Sequence, residues 1–150
     1  IMIQPATTDD RGILREMFDE FYRSDAVLHP VPAAYHEAAL DDLFSEGTSQ
    51  SCFLLCRGEK ACGYALLSKK YSHEAGGLEL WLEELYLRPE ARYQALGSQF
   101  FDLIRRYGAS LGARRLRLEV EEENTGAMRL YARMGFAALD YRQMIREDVQ

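Results

Sequence analysis

The apolar positions change period several times along the chain, and each change marks an element. Residues 2–6 form a short apolar run that predicts a strand, and Thr7-Thr8-Asp9-Asp10 then offers capping residues for a helix. In that helix Ile13, Leu14, Met17, Phe18 and Phe21 recur at helical spacing. Two prolines make residues 24–32 a loop; a second helix follows over 33–44, with Gly47 marking its end. The apolar runs 52–56 and 61–67, joined by the turn 57–60, predict a hairpin. Gly76-Gly77 separates it from a longer strand, 78–87, which Pro89 ends. Leu96, Phe100, Leu103, Ile104, Tyr107 and Leu111 form the apolar stripe of a helix over 95–111, followed by Gly112. Leu116, Leu118 and Val120 alternate with Arg115, Arg117 and Glu119 as in a strand. Asn124 opens a last helix, and a weak alternation over 136–145 predicts a final strand. The order β-α-α-β-β-β-α-β-α-β, with no repeat and no linker, predicts a single α/β domain over residues 1–150 with a mixed central sheet.

One strand breaks its own pattern. Leu78, Leu80 and Leu82 share one phase of the period-2 alternation, and Leu85 and Leu87 share the other. The slip falls across Glu83-Glu84. A regular strand would turn one leucine set to the wrong side; one extra residue, a β-bulge, restores the phase and bends the strand. A carboxylate pair therefore sits at a predicted kink, either as a reactive pair or as part of a solvated face with Glu79.

Composition narrows the function. The chain has 150 residues, of which 47% are apolar and 28% charged, as in a globular protein. No apolar run approaches the roughly 20 residues of a membrane span. Ile1-Met2-Ile3-Gln4-Pro5 lacks the basic and long apolar regions of a signal peptide, which points to the cytoplasm and to no membrane partner. A net charge of -6 argues against nucleic acid as a partner. Cys52, Cys56 and Cys62 lie in apolar runs, and His29, His36 and His73 are scattered, so no metal site is expected.

Two stretches carry candidate chemistry. In Arg92-Tyr93-Gln94-Ala95-Leu96-Gly97-Ser98, small residues let a ligand approach the backbone where a helix begins, and the free N–H groups there suit a pyrophosphate. In the last helix Ala127, Leu130, Tyr131 and Met134 make one face, with Asn124 as N-cap and Gly135 as the stop.

Asn124-x-x-Ala127-x-x-Leu130-Tyr131-x-x-x-Gly135-Phe136 resembles motif B of the GNAT superfamily of N-acetyltransferases, and Arg92-x-x-Ala95-x-Gly97-Ser98 resembles its motif A. Ala95 departs from the pattern, standing where the family usually has glycine. The resemblance runs from residue 2 to about 146 and implies a GNAT-like α/β domain with a bulged, splayed central strand. It implies acetyl-CoA as co-substrate, its pyrophosphate held by Arg92 and the backbone of Tyr93, Gln94, Ala95, Leu96, Gly97 and Ser98. The strand edge at Leu85, Tyr86 and Leu87 would hydrogen-bond the pantetheine arm and the acetyl carbonyl. Asn124 and Ala127 would contact CoA at the helix start, and Tyr131 would lie near the thioester sulfur as its acid.

Leu82-Glu83-Glu84-Leu85-Tyr86-Leu87 resembles the corresponding strand of diamine and other small-amine acetyltransferases, where the first carboxylate lies near the attacking amine. That implies Glu83, with Glu84 in its place if the bulge falls one residue differently. The chemistry needs such a group: an alkylammonium, with a pKa near 10.4, must lose a proton before it attacks a thioester. The implied reaction is direct acetyl transfer to a primary amine, a small cationic one, with Tyr22, Asp25, His29 and Tyr35 beside Glu83 as acceptor-site candidates. Acetylation of a protein lysine or N-terminus, or a non-catalytic acyl-CoA sensor, are the alternatives. Many relatives of this kind are dimers, and the final strand could support a homodimer here.

Overall fold

The computed structural model describes residues 2–92 and 96–150, with Leu96 described by its backbone alone. The chain divides into two compact units, Ile1–Glu119 and Val120–Gln150.

The first unit holds a five-stranded sheet in the order β1-β2-β3-β4-β5, formed by Met2–Pro5, Gln50–Arg57, Lys60–Ser72, Gly77–Leu87 and Arg115–Leu118. The first three pairings are antiparallel and the last is parallel, so the sheet is mixed as predicted. Helices α1 (Arg11–Tyr22) and α2 (Ala33–Leu43) lie between β1 and β2, and α3 (Leu96–Ser110) makes the crossover from β4 to β5. A single 3-10 turn, Thr8–Asp10, precedes α1; the Thr7 N–H donates to Asp10 Oδ2 at 2.7 Å, which secures the start.

Helix α1 buries the stripe its sequence spacing announced, and α2 packs on the same sheet face. Leu14, Met17 and Phe18 of α1 and Leu40 and Leu43 of α2 pack on Cys52, Leu54, Cys56, Tyr64, Leu66 and Tyr86 of the sheet. Each such large apolar side chain contributes about 1.5–3 kcal/mol on burial. Arg11 and Arg15 of α1 reach Glu37 of α2 at 2.8 and 3.0 Å, which aligns the two helices across their exposed side. The opposite sheet face, with Phe53, Leu55, Ala65, Leu67 and Leu80, belongs to α3, whose Phe100, Phe101 and Ile104 are buried. Gly108 lets α3 approach closely: a Cβ there would stand 3.2 Å from Leu116 and 3.7 Å from Leu80. Strand β3 runs five residues beyond the expected 67, because the polar stretch 68–72 is held by pairing with β4 rather than by burial.

The predicted bulge is present. Leu66 pairs with Glu84 and Leu67 with Leu82, leaving Glu83 as the extra residue of β4. Leu78, Leu80, Leu82, Leu85 and Leu87 all fall in register with the odd-numbered, α3-facing positions of β3 as a result. A second irregularity leaves Cys62 extra, since Leu55 pairs with Gly63 and Cys56 with Ala61.

The second unit contains α4 (Thr125–Arg133) and the C-terminal segment. Asn124 caps it, its side-chain oxygen accepting from the Ala127 N–H at 3.1 Å. Gly135 takes a φ of 95°, the left-handed closure expected of it, and the Phe136 N–H donates to the Tyr131 carbonyl at 2.9 Å. The strand predicted over 136–145 does not form: no residue of that stretch is in a strand. Phe136 instead closes the helix, its ring 6.0 Å from that of Tyr131. Leu139, Tyr141, Met144 and Ile145 remain exposed, so the weak alternation has no buried face to stabilise it. No helix among the described residues is long and apolar enough to cross a membrane.

Candidate functional site

The site begins with the bulge. Because Leu82 and Leu85 both face α3, the two residues between them are left on the other side of the sheet. Ser68 confirms this for Glu83, donating from Oγ to Glu83 Oε1 at 2.6 Å. Tyr64, which faces α1, confirms it for Glu84. One extra residue thus brings two neighbouring carboxylates onto one face.

Their environments differ. Glu83 is exposed, with Ser68 as its hydrogen-bond partner. Glu84 is half-buried, and both of its oxygens are occupied: Tyr64 Oη donates to Oε1 at 2.8 Å and Tyr22 Oη to Oε2 at 2.7 Å. Burial pushes the Glu84 carboxyl above the usual range, the two hydroxyls pull it back down, and the charge of Glu83 adds to the rise. Burial, with the nearby carboxylate, also pushes both tyrosine hydroxyls up, so they stay protonated as donors.

The wall around Glu84 is aromatic. The Phe21 ring lies 5.5 Å from Tyr22, 6.3 Å from Tyr64 and 5.8 Å from Tyr86, and His36 of α2 stands edge-on to Tyr22 at 5.2 Å. Helix α1 is held in register for this contact two residues before Tyr22. There Glu20 accepts from Arg88 Nε at 3.1 Å and Nη2 at 2.8 Å, and from Tyr86 Oη at 3.1 Å. A carboxylate among aromatic rings is suited to an ammonium group.

Beyond the bulge the sheet opens. Strand β5 pairs with β4 only from Glu79 to Leu82. The Arg88 N–H donates toward β3, to Cys62 O at 2.8 Å, so by alternation Leu85 and Leu87 direct their N–H groups away from β3. That splayed edge fits an extended amide chain such as a pantetheine arm. Arg92 is anchored there, its Nε donating to Leu87 O at 3.0 Å. Gly97 and Ser98 occupy the first turn of α3. Tyr93, Gln94 and Ala95, and the Leu96 side chain, lie outside the described residues.

In the second unit Ala127, Leu130 and Tyr131 of α4 and Met134 at its C-cap are partly covered, the face that the spacing announced. Burial pushes the Tyr131 hydroxyl above its ordinary value, which keeps it protonated at neutral pH.

Of the acceptor-site candidates, Tyr22 is brought to the carboxylate pair. Asp25, His29 and Tyr35 are exposed, and no hydrogen bond, ion pair or ring contact joins them to the pair among the described residues. Tyr64 was not foreseen. It lies in an apolar run that reads as core, and only the register of β3 against the bulge places its hydroxyl on Glu84. Among the described residues no group of three or more His, Cys, Asp and Glu side chains could hold a metal ion.

Known proteins resemble the chain in sequence and in fold. A model of the Acetyltransferase (GNAT) family matches residues 13–136. The chain is 28% identical over 143 residues to a thialysine N-epsilon-acetyltransferase of Bos taurus, covering 90% of this chain and 83% of the relative. The corresponding protein of Mus musculus is 26% identical over 141 residues, covering 89% and 82%. In fold, the chain superposes on a possible acetyltransferase from Clostridium difficile 630 with a TM-score of 0.85 at 17% identity, covering 99% and 98%. It superposes on an aminoglycoside N-acetyltransferase in complex with CoA with a TM-score of 0.79 at 17% identity, covering 98% and 94%.

Proposed function

From the premise that this chain belongs to the acetyltransferase (GNAT) family and is an acetyl-CoA-dependent N-acetyltransferase, we propose that it acetylates the primary amine of a small cationic molecule by direct transfer. The observation that carries this reading is the bulge, which sets Glu83 and Glu84 side by side on a face lined with aromatic rings. The family match crosses the boundary between the two units, which supports reading residues 1–150 as one acetyltransferase domain.

The residues divide the work by environment. Glu84, desolvated and oriented, attracts the ammonium. Glu83 is exposed and keeps one oxygen clear of Ser68, so it can take the amine proton, directly or through a water, and release it to solvent. The N–H of Leu85 or Leu87 donates to the acyl oxygen as charge develops on it. Acetyl-CoA supplies, when bound, the activated acyl carbon and a thiolate leaving group. Leu85, Tyr86 and Leu87 would hold its arm; Arg92, Gly97, Ser98 and Asn124 would hold its phosphate end. Tyr131 gives its proton to the departing sulfur.

Tyr131→Phe should lower turnover about tenfold while leaving the CoA dissociation constant nearly unchanged. The effect is modest because a thiol, with a pKa near 8.5, leaves readily even without help. Unchanged turnover would remove Tyr131 from the acid role. The acceptor class is tested by thiol release from acetyl-CoA against polyamines, amino sugars, lysine-like amino acids and peptide N-termini. The expected result is turnover of compounds with a cationic amine; activity confined to neutral or acidic amino acids would overturn the reading.

A further inference from the structure

The Glu84 carboxylate carries more hydrogen bonding than its position in the strand requires. Tyr64 is wholly buried on β3 and spends its one O–H on Oε1; Tyr22, the last residue of α1, spends its own on Oε2. Two donated hydrogen bonds, one to each oxygen, favour the anion, which is the stronger acceptor. Once protonated, one of its oxygens becomes a donor and a weaker acceptor, so at least one of the two bonds is weakened or reversed. We propose that Tyr22 and Tyr64 are positioning residues that hold Glu84 as an oriented anion in a desolvated site, so that a fixed negative charge awaits the acceptor ammonium. The inference rests on the acceptor-site reading above for its purpose, but not for its physics.

The other groups around Glu84 cannot supply that stabilisation. From β4, Glu83 is a like charge and opposes it. From β2, the buried Cys52 thiol is pushed up to about 12, chiefly by burial and then by the charge of Glu84, and stays neutral. From α2, burial holds His36 below its ordinary value, Arg15 adding to the effect, and its ring packs on Tyr22. From β4 again, the Tyr86 hydroxyl is committed to Glu20, and Arg88 is committed to Glu16, Glu20 and Ala61. The two tyrosine hydroxyls are the donors to Glu84 among the described residues.

The test is a direct titration of the Glu84 carboxyl by carbon NMR in full-length protein labelled at glutamate, with Glu84→Gln assigning the signal. Tyr22→Phe and Tyr64→Phe each delete one oxygen, and Tyr71→Phe, on the exposed end of β3, serves as the control. A hydrogen bond to a charged group is strong enough that each loss should raise the midpoint by about one pH unit. Tyr71→Phe should leave it in place. A midpoint that stays put in both Tyr22→Phe and Tyr64→Phe overturns the proposal, whatever happens to their thermal stability. Should burial make Tyr64→Phe fail to fold, Tyr22→Phe at the helix end gives the answer alone. The acceptor-site reading is checked separately in the same variants. Near the shifted midpoint, KM for a cationic amine should rise several-fold at constant kcat; a titration shift with KM unmoved would sustain the clamp and remove Glu84 from the acceptor site.

Discussion

Glu83→Gln should lower turnover of a cationic amine by roughly 10²- to 10⁴-fold at neutral pH, the usual worth of a positioned general base. The loss follows from proton disposal. An alkylamine with a pKa near 10.4 is almost entirely protonated at pH 7, and its proton must go to a group that can pass it on. Glu84 is the poorer candidate, since Tyr22 and Tyr64 occupy both of its oxygens; Glu83 is exposed, with Ser68 its one hydrogen-bond partner among the described residues. Without Glu83, the enzyme must wait for amine already free in solution, so the residual rate should climb about tenfold per pH unit below pH 10. Glu84→Gln should act differently, raising KM for the cation more than it lowers kcat. Its stability effect also has a defined sign. Burial raises the folded-state pKa of Glu84 above its unfolded value, so the stability tied to its protonated form is full below the unfolded pKa and lost as pH rises through the folded one. A neutral glutamine should remove this dependence, so its melting temperature should change less between acid and neutral pH than that of the parent. A pH–rate profile and a melting curve on both variants check these outcomes. If Glu84→Gln abolishes turnover and Glu83→Gln does not, the roles are reversed.

Much of this site is legible in the chain because its features are periodic or local. The slip from Leu78-Leu80-Leu82 to Leu85-Leu87 admits few repairs other than an extra residue, and the register places that residue at Glu83. The cap at Asn124 and the closure at Gly135 depend on a few consecutive residues, so they too are written locally. What escapes the sequence is set by pairing across distance. Tyr64 looks like any aromatic in an apolar strand, and its hydroxyl acquires a role only when β3 lies against β4 with a particular register. Asp25 and His29 lie between α1 and α2 and Tyr35 lies in the first turn of α2, all exposed, so nearness to α1 in the chain does not bring them to the carboxylates. The stretch 136–145 carries an alternation too weak to hold a strand without a buried face. Glu79 fails the sequence reading in the opposite direction. One of the two readings of the strand put it on a solvated face with Glu83 and Glu84, yet it is 1% exposed.

That burial makes Glu79→Gln the substitution with the largest expected effect on stability. Glu79 Oε1 accepts from Trp81 Nε1 at 2.7 Å, and Oε2 faces Arg115 Nη1 at 3.2 Å and Arg117 Nη1 at 3.7 Å. Arg117 stacks over the Trp81 ring at 4.6 Å, and Arg115 also reaches Glu74 at 3.1 Å. The cluster ties β5 to the first half of β4, the stretch where the two strands pair before they part at the bulge. A glutamine keeps the shape and the Trp81 bond but removes the charge that faces two guanidinium groups. Taking one partner from a buried ion pair is typically worth about 3–5 kcal/mol. The lower end, about 3 kcal/mol, applies because both arginines retain roughly a quarter of their side-chain exposure and water can partly replace the lost partner. For a chain of this size that is a fall of about 6–12 °C in melting temperature. Part of it should return in Glu79→Gln combined with Arg115→Met, since removing both members of a pair leaves less unpaired charge than removing one. A Glu79→Gln protein that melts with the parent would mean that the arginines hold β5 without it. The positions of Leu85, Leu87 and Glu83 would then depend on the β3–β4 register alone.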